Sequence, residues 1–192
     1  MATQSVPRLL TFEDYLRTPT ITRRFEIIDG VFEFMVPAPA IPHQVSLGKL
    51  FTAMDRAASG HGEVFLAPCD VIISRKPLRT RQPDIFFVRK SRLHLVGNRM
   101  EAGPDLVVEI LSPSNRRKAV VEKLADYASL GVEECWMVDL SSRLLQIWRL
   151  NRSGQFEPVA AFRPGQRVKS KVFPAFTLPA KAFPRKAPSA VE

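Results

Sequence analysis

Cysteine is scarce in this chain. The 192 residues carry two, Cys69 and Cys135, far apart and in no CxxC or Cys/His spacing. That leaves a disulfide framework unsupported and disfavours structural zinc. No apolar run approaches the roughly 18 residues of a membrane helix. The opening MATQSVPRLL lacks the apolar core of a signal peptide. These absences predict a soluble, cytoplasmic protein with no membrane partner. Internal repeats are also missing, and no low-complexity segment precedes the C-terminal tail. Acidic residues thin out toward the end: residues 141–192 hold 10 Lys+Arg against 2 Asp+Glu, a balance of +8, whereas residues 1–140 hold 18 against 17. A near-neutral body with a basic end suits a polyanion such as nucleic acid, and equally suits a solvated tail.

The 45% hydrophobic composition is enough for one domain with a real core. We expect that domain over residues 1–180, with 181–192 as a disordered basic tail. TFEDYLRTP predicts a short helix capped by Thr11 and ended near Pro19. RFEIIDGVFEF is two alternating runs around Asp29-Gly30, a strong hairpin signal. Residues 42–59 space Leu47, Leu50, Phe51, Met54 and Ala58 along one helical face before Gly60. Three strand-like stretches follow, at 63–74, 82–90 and 104–112. PSNRRKAVVEKLADYASLG reads as a helix capped by Ser114 or Asn115 and stopped by Gly131. ECWMVDL and RLLQIWRL then read as strands joined by a turn at Ser141-Ser142. FEPVAAFRPG and VKSKVFPAFTLP are weaker strand candidates. The order from 42 to 140 predicts an α/β (α+β) fold with a mixed sheet flanked by helices.

One residue does not belong in that pattern. PDLVVEILS is a strand covered on both faces, and Glu109 is set into it. An uncompensated buried charge costs several kcal/mol, so Glu109 needs a cation, a proton or a hydrogen-bond partner. Asp105 is four residues away on the same strand, roughly 13 Å at 3.3 Å per residue, too far to share an ion. Asp84, in the Pro-Asp that opens the preceding strand, is the better partner because neighbouring strands lie about 4.8 Å apart. Two such carboxylates with no Cys or His cluster point to Mg²⁺ or Mn²⁺. In the helix after Glu109, Val120, Val121, Leu124, Tyr127 and Ala128 form the apolar arc. Lys123 lies at its edge, beside Ala119, Tyr127 and Leu130, and Lys118 points to the outer side. Lys123 can serve the carboxylates, or can cover the core edge with its stem.

At these residues the chain resembles a known family. FEIIDG, RQPDIFFV, PDLVVEILSPSNRRKAVVEKLADYASLGVEECWMVD and the helix beginning PHQ are similar to the Uma-type restriction-endonuclease-like proteins of the PD-(D/E)xK nuclease superfamily. The resemblance covers roughly residues 11 to 180. It implies the αβββαβ nuclease core, with Asp84 and Glu109 as metal carboxylates. The usual ExK lysine is absent, since Glu109-Ile110-Leu111 stands there, and the family's basic role falls on Lys123. Glu26 occupies the place of a recurrent family glutamate and is a candidate third ligand, or else a polar-face strand residue. His43 matches a family histidine, for which helix capping is the plain role. Ala119 stands where many relatives carry an acid.

The reading implied is a Mg²⁺- or Mn²⁺-dependent endonuclease acting on DNA, with Asp84, Glu109, Lys123 and Glu26 as its site. A homodimer is one assembly open to it. Its rivals are a catalytically inactive nucleic-acid-binding or assembly module on the same fold, and an interaction protein whose Glu109 pairs with an arginine.

Overall fold

The computed structural model describes residues 8–19, 21, 23–35, 40–111 and 117–184, without the side chains of Arg117 and Lys118. The expected cap at Ser114 or Asn115, the outward Lys118 and the chain beyond 184 lie outside the described residues. In chain order the elements are α1 (Phe12–Arg17), β1 (Phe25–Ile28), β2 (Val31–Phe34), α2 (Ile41–Ala58), β3 (Gly62–Leu66), β4 (Val71–Arg75), β5 (Leu78–Arg81) and β6 (Ile85–Arg89). A 3-10 turn (Lys90–Leu95), β7 (Leu106–Leu111), α3 (Arg117–Ser129), β8 (Glu134–Asp139), β9 (Leu144–Leu150), β10 (Phe156–Phe162), β11 (Arg167–Val168) and β12 (Phe176–Thr177) complete the described chain.

Local chemistry accounts for the first elements. Thr11 caps α1 through a reciprocal box with Asp14, which satisfies two otherwise orphaned amides. Asp29 and Gly30 both take positive φ, the requirement of a tight turn between β1 and β2. No side chain caps α2; Ala40 stands at its N-cap and proline lies in its first turn.

Strands β10-β9-β8-β7-β6-β3 form a six-stranded sheet in that order, and β2-β1-β5-β4 form a second sheet of four. Only the β7–β8 pair is parallel in the larger sheet, joined by the α3 crossover. Helix α2, then β3, β6 and β7, then α3 and β8, is the expected αβββαβ order. The stretch 63–74 is not one strand, however. It breaks into β3, in the large sheet, and β4, which with β5 joins the β1–β2 hairpin. Proline at 68 and Asp70 interrupt the alternation there, so the apolar runs on either side are free to enter different sheets.

Strand alternation divides the interior. Leu106, Val108 and Ile110 face α2 and pack with Leu50, Met54, Trp136 and Phe173. Val107 and Leu111 face α3 with Phe86, Val88, Cys135 and Tyr127. A third cluster of Phe12, Phe25, Ile27, Ile72 and Leu78 lies on the smaller sheet. Ala182 and Phe183, expected in the tail, are buried on the α2 side. The segment leading to them is held by Glu134, whose buried carboxylate accepts from Arg149, from the Ser170 hydroxyl and from the Lys171 amide. Among the described residues no helix is long and apolar enough to cross a membrane.

The β3 edge meets β6 too closely for any side chain at Gly62, where a Cβ would lie 2.2 Å from the Val88 carbonyl oxygen. Gly62→Ala is therefore expected to cost roughly 1–3 kcal/mol by overpacking. Thermal unfolding should show this as a drop of roughly 2–4 °C per kcal/mol for a chain of this size.

Candidate active site

Asp84 lies where the chain passes from the small sheet into the large one, between β5 and β6. Strand β6 pairs antiparallel with β7, Ile85 opposite Val108. One step further the same register sets Asp84 opposite Glu109, and residues so placed have Cβ atoms about 4.5–5.5 Å apart. Alternation puts both on the α3 side, with Phe86 and Val107. Asp105 takes no part; it accepts from Arg89 and Arg92 at the other end of β7.

Helix α3 supplies the cation. Lys123 Nζ donates to Glu109 Oε2 at 2.9 Å and lies 3.2 Å from Glu26 Oε1. One turn later the Tyr127 hydroxyl donates to Glu109 Oε1 at 2.5 Å. Glu109 is thus satisfied by a lysine and a phenol rather than by an arginine. The helix is turned further toward its polar edge than an apolar arc centred on Val120 and Leu124 implies. Val121 is 58% exposed, whereas Asp126 is buried. Ion pairs drive the rotation: Asp126 accepts from Arg79 at 2.7 Å and from Arg81 at 2.6 Å, both on β5.

Glu26 comes from β1, directly across from Arg81 in the β1–β5 register. Arg81 Nη1 donates to Glu26 Oε2 at 2.6 Å, and the Gln82 amide donates to its other oxygen. Asp84 accepts from Arg24 Nη1 at 2.9 Å and from the Ile110 amide at 2.8 Å. His43 Nε2 lies 3.3 Å from Asp84 Oδ2, so this histidine reaches from the first turn of α2 into the site instead of capping its helix. Ala119 is exposed at the start of α3.

The three carboxylates differ electrostatically. Burial pushes the Glu109 carboxyl up; Lys123 opposes this, but the nearby charges of Asp84 and Glu26 add to it, and the net shift is upward. Burial also acts on Asp84, yet the hydrogen bond from His43, the charge of Arg24 and the Ile110 amide hold it below the usual aspartate range. Glu26 is likewise held low, because Lys123 and Arg81 outweigh its burial. For Lys123 burial opposes the charged form, but Glu109 and Glu26 keep the ammonium protonated.

An ionised carboxylate offers about four acceptor positions. Asp84 uses three, on Arg24, His43 and Ile110, and Glu109 uses two, on Lys123 and Tyr127. Oxygen positions therefore remain for a hard cation, which would also relieve the like-charge repulsion on Glu109. Two carboxylates with water completing the shell fit a hard divalent cation. Glu26 likewise uses three positions, on Arg81, the Gln82 amide and Lys123. Among the described residues no three His, Cys, Asp or Glu side chains are grouped closely enough to hold a metal ion.

Sequence reasoning missed Arg24, Arg81, Asp126 and the polar role of Tyr127. A polar-face pattern was legible for β5, where Arg79 and Arg81 alternate with Leu78 and Thr80, but nothing local says which carboxylate they meet.

Removing charges around Glu109 should move its carboxyl in opposite directions. Asp84→Asn removes a neighbouring negative charge and is expected to lower the Glu109 pKa. Lys123→Met removes the positive one and is expected to raise it. Carboxyl ¹³C NMR titration of the folded variants reads both shifts.

Comparison with known proteins agrees with this architecture. A crystal structure described as "a putative nuclease belonging to DUF820 from Anabaena variabilis ATCC 29413" superposes with a TM-score of 0.68 at 20% identity, over 84% of this chain and 89% of that one. The likeness is one of fold, and it makes the core here restriction-endonuclease-like. No curated protein matches the chain. The family model Uma2, described as "Putative restriction endonuclease", matches residues 12–181. Since that match runs from the first helix through β12, the chain belongs to the Uma2 family.

Proposed function

We propose that this protein is a divalent-metal-dependent endonuclease that hydrolyses phosphodiester bonds in DNA. The observation that carries the reading is the meeting of Lys123 from α3 with Glu109, beside Asp84, at one end of the β6–β7 pair. A lysine brought to the carboxylates by the crossover helix replaces the one missing two residues after Glu109.

In this reading Asp84 and Glu109 hold the ion, and Glu26 anchors Lys123 rather than ligating. A bound divalent ion lowers the pKa of coordinated water and offsets charge on a phosphoryl oxygen. Lys123 directs its ammonium to the attacking water or to the charge developing on phosphorus-bound oxygen. Tyr127 fixes the Glu109 carboxylate from the opposite oxygen, and Arg24 with His43 does the same for Asp84. Water adds to phosphorus, the bond to one ester oxygen breaks, and that oxygen leaves with a proton.

The rival reading, a binding module that kept the fold, is favoured by one observation. Lys123, Arg24 and Arg81 already balance Asp84, Glu109 and Glu26 without a metal.

Supercoiled plasmid incubated with Mg²⁺ or Mn²⁺ separates the two. Wild type is expected to nick or linearise it, and chelation to stop the reaction. Asp84→Asn should abolish cleavage. Lys123→Ala should slow it by about a hundredfold or more, the usual loss when a charge stabilising the transition state is removed. Arg152→Ala, in the turn after β9, is the control. No cleavage by wild type with either metal would put the binding module first.

A further inference from the structure

The cations of the carboxylate site are spent on that site: Arg24, Arg79, Arg81 and Lys123 all sit in ion pairs. A polyanion must find its positive charge elsewhere. Two concavities lie instead on the α2 side of the large sheet. One, of about 620 Å³, runs along the outer face of α2 from Gln44 past Lys49 and Thr52 to Arg56. The other, of about 500 Å³, opens where α2 ends, between His61, Lys90 and Lys171 over a floor that includes Phe87 and Phe173. No acidic side chain lines either one. Lys49, Arg56, Lys90 and Lys171 form no ion pair among the described residues. Arg89, which also lines the second, is paired with Asp105 and Glu133 and contributes little free charge.

The two concavities are consecutive along the chain. The groove starts at Gln44, next to the His43 that touches Asp84, and follows α2; the cleft takes over at Gly60 and His61. The groove's lining on α2, from Gln44 to Arg56, runs about 18 Å at 1.5 Å per residue. That matches roughly five steps of a nucleic-acid strand at 3.4 Å each. Unpaired lysines and arginines along a concave path, with carboxylates excluded, complement a phosphodiester backbone, whose affinity derives largely from releasing counterions.

We propose that the outer face of α2 and the cleft at its C-terminal end form one backbone-binding track for nucleic acid, reading charge and not sequence. The track rests on the nuclease reading; lying on the α2 side of the large sheet, whereas the carboxylates face α3, it holds phosphates remote from the one to be cleaved.

Fluorescence anisotropy with a labelled 20-base-pair duplex and the matching single strand, over a salt series, tests it. The variants are Lys49→Gln/Arg56→Gln in the groove and Lys90→Gln/Lys171→Gln in the cleft, with Arg152→Gln/Arg163→Gln as an off-track control. Melting curves confirm folding, and the two track pairs are independent, so disturbance of one by loss of the Lys49 bond to the Lys181 carbonyl leaves the other decisive. Each track pair is expected to weaken binding and to reduce the slope of log K against log salt by roughly two, about one per phosphate contact removed. The control pair should leave the slope unchanged. Hydrolysis of bis(p-nitrophenyl) phosphate, too small to span the track, should be unaffected by any of them. Wild-type binding that the track variants retain in full overturns the track alone. Loss of binding in those variants beside a wild type that cleaves nothing supports the track and overturns the catalytic reading. A wild type that binds neither probe overturns both.

Discussion

A buried ammonium governs this structure. Lys123 lies between Glu109 of the large sheet and Glu26 of the small one and balances both carboxylates at once. Stripping one partner from such a pair leaves a charge in low dielectric and typically costs 3–5 kcal/mol. The geometry around Lys123 is correspondingly over-determined. Arg81 holds Glu26 and Asp126 at once, and Asp126 sits one turn from Lys123 on the same helix. The rotation of α3, the docking of the hairpin sheet and the orientation of Glu109 are consequences of a single arrangement of charge.

That arrangement explains which parts of the chain were readable from residue order. Helix α1, the Asp29-Gly30 turn and α2 announce themselves through caps, positive-φ residues and periodicity, all of which are local. The carboxylate in PDLVVEILS was also legible, because an apolar strand makes a lone glutamate conspicuous. Its partner Asp84 followed from strand spacing. The identity of Lys123 came from the helix edge together with the family resemblance.

What local pattern could not supply was the second sheet. Strand β4 read as a continuation of β3, and β5 fell between the strand-like stretches, since the four residues LRTR carry no strong strand signal in isolation. Their pairing with β1 is a long-range event, and with it come Arg79 and Arg81. Tyr127 looked like a core residue because its ring is one; only the placement of its hydroxyl against Glu109 gives it a polar task. His43 illustrates the same limit. Its position at a helix start suggested a cap, while its actual partner lies 41 positions along the chain.

The charge cluster also orders events in time. Glu26, Asp84 and Glu109 all precede Lys123, so a chain growing from its N-terminus has made the three acids before the lysine that reconciles two of them. The Lys123–Glu109 contact spans 14 residues, whereas Arg81 and Glu26 meet across 55, so the lysine's pairing with the large sheet is the more local of the two. Lys123 also offsets the like charges that meet where Glu26 approaches Glu109. The crossover helix therefore fastens one sheet to the other: the same residue proposed to serve the chemistry is the one that bridges Glu26 of the small sheet and Glu109 of the large one.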